Sequence, residues 1–448
     1  MGEGGGPLAF HATPPPGQWI NDPNALLHAN GAYRLFVQHR RDAPAFRETG
    51  WARLSSPDLL RWTFDGAVIP PDGEDWAYSG SVYASGGALT AVHTLHTAGS
   101  ERQVRRSSTD AGANWSGAEV LPDLGDPARN RRDPFVFHDG DGWALLLAEP
   151  CDWTEWRAEP ASQLRLYRSH DGRTWREAGI IGPWHPPGVM WEVPLLARVD
   201  GRDVLFVSTV DRRGDGATCA VRAWVGAIVE SGFVPDPDAP AEGQLLDFGP
   251  DFYAIMMSAE GAWPGAERQC FVAWAGSWAT GRNIDWPGFY GGPITLPRTL
   301  AVEVRSTGLW LAHRPIPSAS AEFNRAVADI PIAGAATVAI DSGADVVKLT
   351  IAGPSQSLHV RFDLVHGVAD MDRRGAPTAR WSAQQRFTPV ARRPRTLLLY
   401  LDSSLIELFL IEDGVAVTVA LDCGNSPFAA DLSIDGKIAP LVWRTLGL

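Results

Sequence analysis

Lysine is almost missing from this chain of 448 residues: it occurs only at Lys348 and Lys437, so arginine carries nearly all of the positive charge. We read that scarcity as a coding bias and not as chemistry. Basic groups of any kind are outnumbered, 39 against 52 acidic residues, and the formal net charge is -13. That balance argues against nucleic acid and anionic membrane as partners, because both reward a basic face. Cysteine is scarce too. Cys151, Cys219, Cys270 and Cys423 lie far apart with no C-x-x-C pair, so neither a zinc site nor a disulfide framework is expected. No segment holds 18 uninterrupted apolar residues, and the opening "MGEGGGPLAF" lacks a basic stretch followed by an apolar one. A cytoplasmic protein is therefore expected, or a secreted one if a leader has been removed. Helical periodicity is nearly absent, which leaves strands to build the fold.

What is present is a repeat. "DPNALLHANGAYRLFV" from Asp22 reads as an acid, a proline, an apolar run, an Asn-Gly turn and a second apolar run, which is a β-hairpin by its turn chemistry. The plan returns at Asp133 ("DPFVFHDGDGWALLLA") and at Glu192 ("EVPLLARVDGRDVLFVS"), with weaker copies near Gly80 and at Asp251, every 53 to 59 residues. A second series interleaves with it, a polar turn followed by Trp62, Trp115 and Trp175. A unit of that length holding roughly four short strands is the size of a propeller blade. The expected fold is all-β, a five-bladed β-propeller over residues 1–312, a proline- and serine-rich linker at 313–321, and a β-sandwich over 322–448, where short alternating strands resume. The 19 tryptophans are read mainly as core.

In a propeller the first strand of every blade lines the central channel, so Asp22, Asp133 and Glu192 are expected around one pocket. Converging carboxylates with no histidine or cysteine set suited to a metal point toward glycoside cleavage, which needs one protonated and one ionised acid. Glu192 in "VMWEVPLL" is flanked by apolar residues, so desolvation should raise its pKa, as a proton donor requires. Asp22 in "NDPN" has amide neighbours that favour the ionised form, suited to nucleophilic attack. Asp133 follows Arg132 and should be held ionised, suited to binding sugar hydroxyls.

"WINDPN" (19–24), "RRDP" (131–134) and "WEVP" (191–194) resemble, in this order and spacing, the signature blocks of glycoside hydrolase family 32, the invertase, levanase and exo-inulinase family. "YSGS" (78–81), "DFYA" (251–254), "TLPRTL" (295–300) and "DSSLIELF" (402–409) carry the resemblance along nearly the whole chain. It implies a retaining β-fructofuranosidase without metal or cofactor. Asp22 would be the nucleophile, Glu192 the acid and then the base, and Asp133 the transition-state stabiliser. Asn21, Gln38, Trp51, Ser81 and Arg132 match positions that line the fructosyl site. Retention would require the nucleophile and acid about 5 to 5.5 Å apart.

Several residues depart from the family pattern. Ala25 stands where glycine is usual, His39-Arg40 where Tyr-Asn is common, and Val193 and Leu195 replace the cysteine and aspartate of Glu-Cys-Pro-Asp. These changes are expected to leave the leaving-group side open to substrates other than plain sucrose. Three rival readings remain: a fructosyltransferase using the same intermediate, an inverting propeller glycosidase with carboxyls about 6.5 to 9.5 Å apart, and a propeller that binds fructan without cleaving it. Arg40, Arg41 or Arg47 would be the candidates for a phosphorylated substrate. With Glu192 raised, an activity optimum toward neutral pH is expected, and an acid-assigned limb below about pH 5 would contradict it.

Overall fold

The structure is a computed structural model that describes residues 8–42, 48–73, 75–126, 130–150, 161–186, 188–212, 218–258, 269–279, 286, 288–375, 380–391, 393–421 and 428–446. Arg47, Cys151 and Cys423 lie outside them. The described residues form seven β-sheets and one short helix. Five sheets come from residues 19–315. The first holds β1 (Trp19–Ala29), β2 (Ala32–Arg40), β3 (Gly50–Ser56) and β4 (Thr63–Ile69), and the second β5 (Trp76–Ser85), β6 (Ala88–Thr97), β7 (Ser100–Ser108) and β8 (Glu119–Val120). The third is built from β9 (Arg132–Asp139), β10 (Gly142–Glu149), β11 (Gln163–Ser169) and β12 (Arg176–Ile181). The fourth takes β13 (Val189–Val199), β14 (Arg202–Asp211), β15 (Thr218–Val229) and β16 (Gly232–Pro235), with β17 (Gln244–Leu245) paired to β15. In the fifth are β18 (Tyr253–Met257), β19 (Cys270–Trp274), β21 (Arg298–Arg305) and β22 (Gly308–Pro315). The strands named so far pair antiparallel, and some hairpins close in tight turns, such as Asn30-Gly31 and Asp200-Gly201 in left-handed conformations.

The first strands touch one another in order, β1 to β5, β5 to β9, β9 to β13, β13 to β18, and β18 back to β1. Neighbouring sheets share apolar layers. Ala25, Leu27 and Phe36 meet Ala77 and Ala91 between the first two sheets, while Leu26, on the opposite face of β1, joins Leu35, Val37 and Val272 of the fifth. Burial on both faces explains why the first strands read as nearly continuous apolar runs. Trp51, Trp191, Trp224 and Trp274 are fully buried in these layers, as the core reading of tryptophan expected. Between the fifth and first sheets, β20 (Tyr290–Gly291) pairs in parallel with Trp19 and Ile20 of β1, and Ala12 bridges Ile294.

The remaining chain forms two packed six-stranded sheets. One runs β23 (Phe323–Val327), β34 (Trp443–Leu446), β24 (Ala333–Ile340), β29 (Arg395–Asp402), β30 (Leu405–Leu410) and β31 (Val415–Ala420). The other runs β28 (Trp381–Arg386), β27 (Val368–Arg374), β26 (Ser357–Asp363), β25 (Val346–Ala352), β32 (Ala429–Ile434) and β33 (Lys437–Ile438). The segment expected as a linker, 313–321, is ordered structure: it holds the end of β22 and most of α1 (Pro317–Glu322), with Ile316 and Ala319 fully buried.

Buried charges fasten this pair of sheets to the five. Arg298 donates to Asp247 (2.7 Å), Glu407 (2.7 Å) and Thr418 (2.6 Å), between the rings of Phe252 and Phe409. His11 lies between Asp402 (2.8 Å) and Glu407 (2.9 Å), and Asp402 also accepts the backbone N–H groups of residues 9 to 11. Burial alone would lower the His11 pKa, but the two carboxylates override it and raise it to about 9. A raised pKa stabilises the fold fully below the unfolded value of about 6.5, and that contribution fades as pH climbs through about 9. His11→Gln should therefore cost stability at pH 7, on the order of 3 kcal/mol, and much less at pH 10. Denaturant titrations of both proteins at the two pH values test this, and an equal difference at both would refute it.

Candidate active site

Each of the five first strands is irregular at the same level. The ladder slips between Ile20 and Ala25, Ala77 and Gly80, Leu146 and Ala148 (the partners of β9), Glu192 and Leu195, and Tyr253 and Met256. Such bulges bend a strand and re-aim a side chain. In three of them a non-glycine residue sits in the left-handed region, Asp133 (φ 61°), Val193 (φ 45°) and Ala254 (φ 50°). Aligned on these, Arg132, Glu192 and Tyr253 occupy equivalent positions, and the three meet. Arg132 donates to Glu192 Oε1 from Nε (3.1 Å) and Nη2 (2.9 Å), and the Tyr253 hydroxyl donates to Oε2 (2.8 Å).

Asp22 is reached from the other side. Trp19 Nε1 donates to Asn21 Oδ1 (2.9 Å), Asn21 Nδ2 to Gln38 Oε1 (2.8 Å), Gln38 Nε2 to Ser79 Oγ (2.7 Å), and Ser79 Oγ to Asp22 Oδ2 (2.7 Å). Oδ1 of Asp22 is buried and carries no hydrogen bond among the described residues. Asp133 is braced through its backbone, with its N–H on Thr94 Oγ1 (3.1 Å), and its Oδ2 accepts the Val193 N–H (3.0 Å). All three carboxylates are buried.

A family model described as the glycosyl hydrolases family 32 N-terminal domain matches residues 11–315. The chain belongs to glycoside hydrolase family 32. It is 29% identical over 311 residues to a sucrose-6-phosphate hydrolase of Zymomonas mobilis, covering 65% of this chain and 59% of that protein. With a raffinose invertase of Escherichia coli it shares 27% over 331 residues, covering 68% and 64%. The matches thus span less than two thirds of these relatives' own length. In fold, it resembles an exo-inulinase from Aspergillus awamori (TM-score 0.81, 20% identity, 98% of each chain) and a β-fructofuranosidase from Schwanniomyces occidentalis (TM-score 0.78, 18%, 99% and 96%).

For this family 32 chain, the expected site residues divide. Asp22, Asp133, Glu192, Asn21, Gln38 and Arg132 lie in the contacts just described. Ser81 does not. Its hydroxyl donates to Pro134 O (2.9 Å) and accepts from Val136 N–H (3.0 Å), tying β5 to β9, and Ser79 is the serine that touches Asp22. Trp51 is fully buried, and its indole N–H holds the Tyr78 carbonyl (2.9 Å). The fifth inward position is Tyr253 and not Asp251, which pairs with Arg373 (2.7 Å) and the Ala420 N–H. Tyr253, Ser79 and Thr94 were not foreseen. The blocks containing the first two were visible, but the bulges break the two-residue alternation that would have picked them out.

The expected charge states also need correction. Burial raises Asp22 to about 6, with the Glu192 charge adding to it and the Ser79 bond opposing it. Asp133 is raised well above the carboxylate range, chiefly by burial against the opposing pull of Arg132, with Glu192 and Asp22 adding their repulsion. Glu192, not Asp133, takes the Arg132 hydrogen bonds, and its immediate partners are polar, because Trp191 and Val193 turn into apolar layers. Ala25 and Leu195 likewise pack between sheets, so these substitutions do not open the leaving-group side. His39 is held on Gln18 (2.7 Å), Arg40 is buried with its guanidinium 5.5 Å from the Trp19 ring, and Arg41 is exposed.

Carboxyl ¹³C NMR should show a signal titrating near pH 6 that is lost in Asp22→Asn and moves up in Ser79→Ala, which removes a bond favouring the ionised form. A spectrum in which every carboxyl titrates below about 4.5 would contradict this.

Proposed function

We propose that the protein is a retaining β-fructofuranosidase that releases terminal β-D-fructofuranosyl groups from sucrose, fructo-oligosaccharides or fructans. Its five sheets act as the blades of a five-bladed propeller around the three acids, with the C-terminal sheet pair as a β-sandwich. The observation that carries this reading is the convergence of buried Asp22, Asp133 and Glu192, whose charges act on one another, with one Asp22 oxygen left without a hydrogen bond among the described residues. The names of the relatives, a sucrose-6-phosphate hydrolase and a raffinose invertase among them, support it.

Asp22 Oδ1 attacks the anomeric carbon of the fructosyl group while Glu192 gives its proton to the glycosidic oxygen, so the bond breaks and a neutral leaving group departs. Glu192, now ionised, takes a proton from water, and the resulting nucleophile cleaves the fructosyl ester and restores Asp22. Arg132 and Tyr253 hold Glu192 in place and stabilise it when it is ionised. Ser79, Gln38 and Asn21 keep the second Asp22 oxygen occupied, which leaves Oδ1 to react. Asp133 binds the fructosyl hydroxyls as charge develops on the ring.

Asp22→Ala and Glu192→Gln should each lower the rate on sucrose or a fructan by at least about a thousandfold, and a loss of only a few-fold would refute the assignment. The first anomer released should be β-fructose; release of the α-anomer would indicate inversion. Comparing sucrose with its 6-phosphate tests a role for Arg40 or Arg41, and product analysis at high sucrose separates hydrolysis from transfer.

A further inference from the structure

We propose that Glu101, together with His96 and Trp76, forms the wall that receives the hydroxyls of the leaving saccharide, which makes Glu101 a specificity-determining residue. This rests on the fructosidase reading above.

Strand register sets the arrangement. Trp76 faces His96 across β5 and β6, and His96 faces Glu101 across β6 and β7, so the three side chains stand in one row. All three strands touch β9, which carries Arg132. Glu101 Oε1 lies 3.4 Å from Arg132 Nη1 and 3.6 Å from His96 Nδ1. The same guanidinium holds the proposed acid, Glu192, through Nε and Nη2. Glu101 therefore sits one guanidinium away from the group that protonates the glycosidic oxygen. A sugar attached to that oxygen leaves past Glu192, beside this row.

An ion pair with Arg132 does not by itself account for Glu101. That guanidinium already makes two closer bonds to Glu192 and another to Asn130. The Glu101 side chain is only 10% exposed, and its Oε2 has no hydrogen-bond partner among the described residues. A buried acceptor left unmatched calls for a donor. Sugar hydroxyls are neutral donors that can supply one without adding charge to an already crowded site. The Tyr78 ring stacks on His96 (centroids 4.5 Å apart, planes 12°), and Trp76 lies 5.5 Å from the same imidazole. These rings add a flat face against which a sugar ring can lie. The favoured substrate class is thus one whose leaving group is itself a hydroxylated sugar ring.

The test compares sucrose with methyl β-D-fructofuranoside, whose leaving group has no hydroxyls beyond the one released. Glu101→Ala should lower kcat/KM on sucrose about tenfold more than on the methyl fructoside, mainly through KM, and Glu101→Gln, which keeps one acceptor oxygen, should fall between. Equal losses on both substrates would mean that Glu101 acts only through Arg132, and the inference would fall. If Glu101→Ala does not fold, His96→Ala should reduce the preference for sucrose about threefold or more, and an unchanged preference would overturn the proposal. Should the native protein cleave neither fructoside, the fructosidase reading fails and takes this inference with it.

Discussion

A strand that pairs along its whole length is pulled out of register where it must also turn a polar side chain, carboxylate or not, toward a shared site. Each of the five first strands resolves that conflict with a bulge at the same level. Left-handed backbone at Asp133, Val193 and Ala254 accompanies three of them, and such conformations cost about 1–3 kcal/mol each. For β-branched Val193 the strain is greatest in kind. The conformations persist because both faces of every first strand are packed against a neighbouring sheet, so the chain cannot relax without opening an apolar layer.

The same placement decides the electrostatics. Among the described residues, three buried carboxylates share their surroundings with one guanidinium, that of Arg132, and Glu101 adds a fourth carboxylate. One cation cannot offset that much charge in a desolvated space, so burial and mutual repulsion push Asp22 and Asp133 upward. For Asp22, a rise of about two units disfavours its ionised form in the folded state by about 3 kcal/mol at neutral pH. The fold can bear such a site because its other buried charges are arranged oppositely. Arg298 and Arg373 each meet carboxylates at hydrogen-bond distance, and His11 has one on either ring nitrogen. Breaking a pair of that kind is expensive, whereas Asp22 keeps one oxygen without a hydrogen bond among the described residues.

The sequence period located the first strand of each sheet because that strand is buried on two sides and begins near an acid or a serine. It could not locate the inward residue to within one or two positions. The repeat aligns Asp133 with Glu192, yet the backbone makes Arg132 the equivalent of Glu192, since the bulge shifts the side-chain alternation. Expecting Ser81 at the site where Ser79 touches Asp22 has the same origin. Partners across sheets were hidden for a different reason: adjacency in sequence suggested that Arg132 serves Asp133, but its hydrogen bonds go to a strand 60 residues away. Two of the motif blocks, "TLPRTL" and "DSSLIELF", mark no part of the acid cluster. Arg298, Asp402 and Glu407 within them form the charged seam that joins the two groups of sheets.

What sets this chain apart within its family must then be sought away from the motifs. Ala25, Val193 and Leu195 differ from the common pattern, but their side chains belong to apolar layers and reach the reaction only through the backbone they support, as when the Val193 N–H holds Asp133. A residue packed between sheets answers to volume and shape. Side chains at the strand ends lie outside these apolar layers and answer to polar partners instead. There the row Trp76, His96, Glu101 combines aromatic faces with an unmatched acceptor beside the acid's guanidinium. In the proposed reaction the bulged inner strands hold the fructosyl transfer, and the proposed recognition of what leaves belongs to the strand ends.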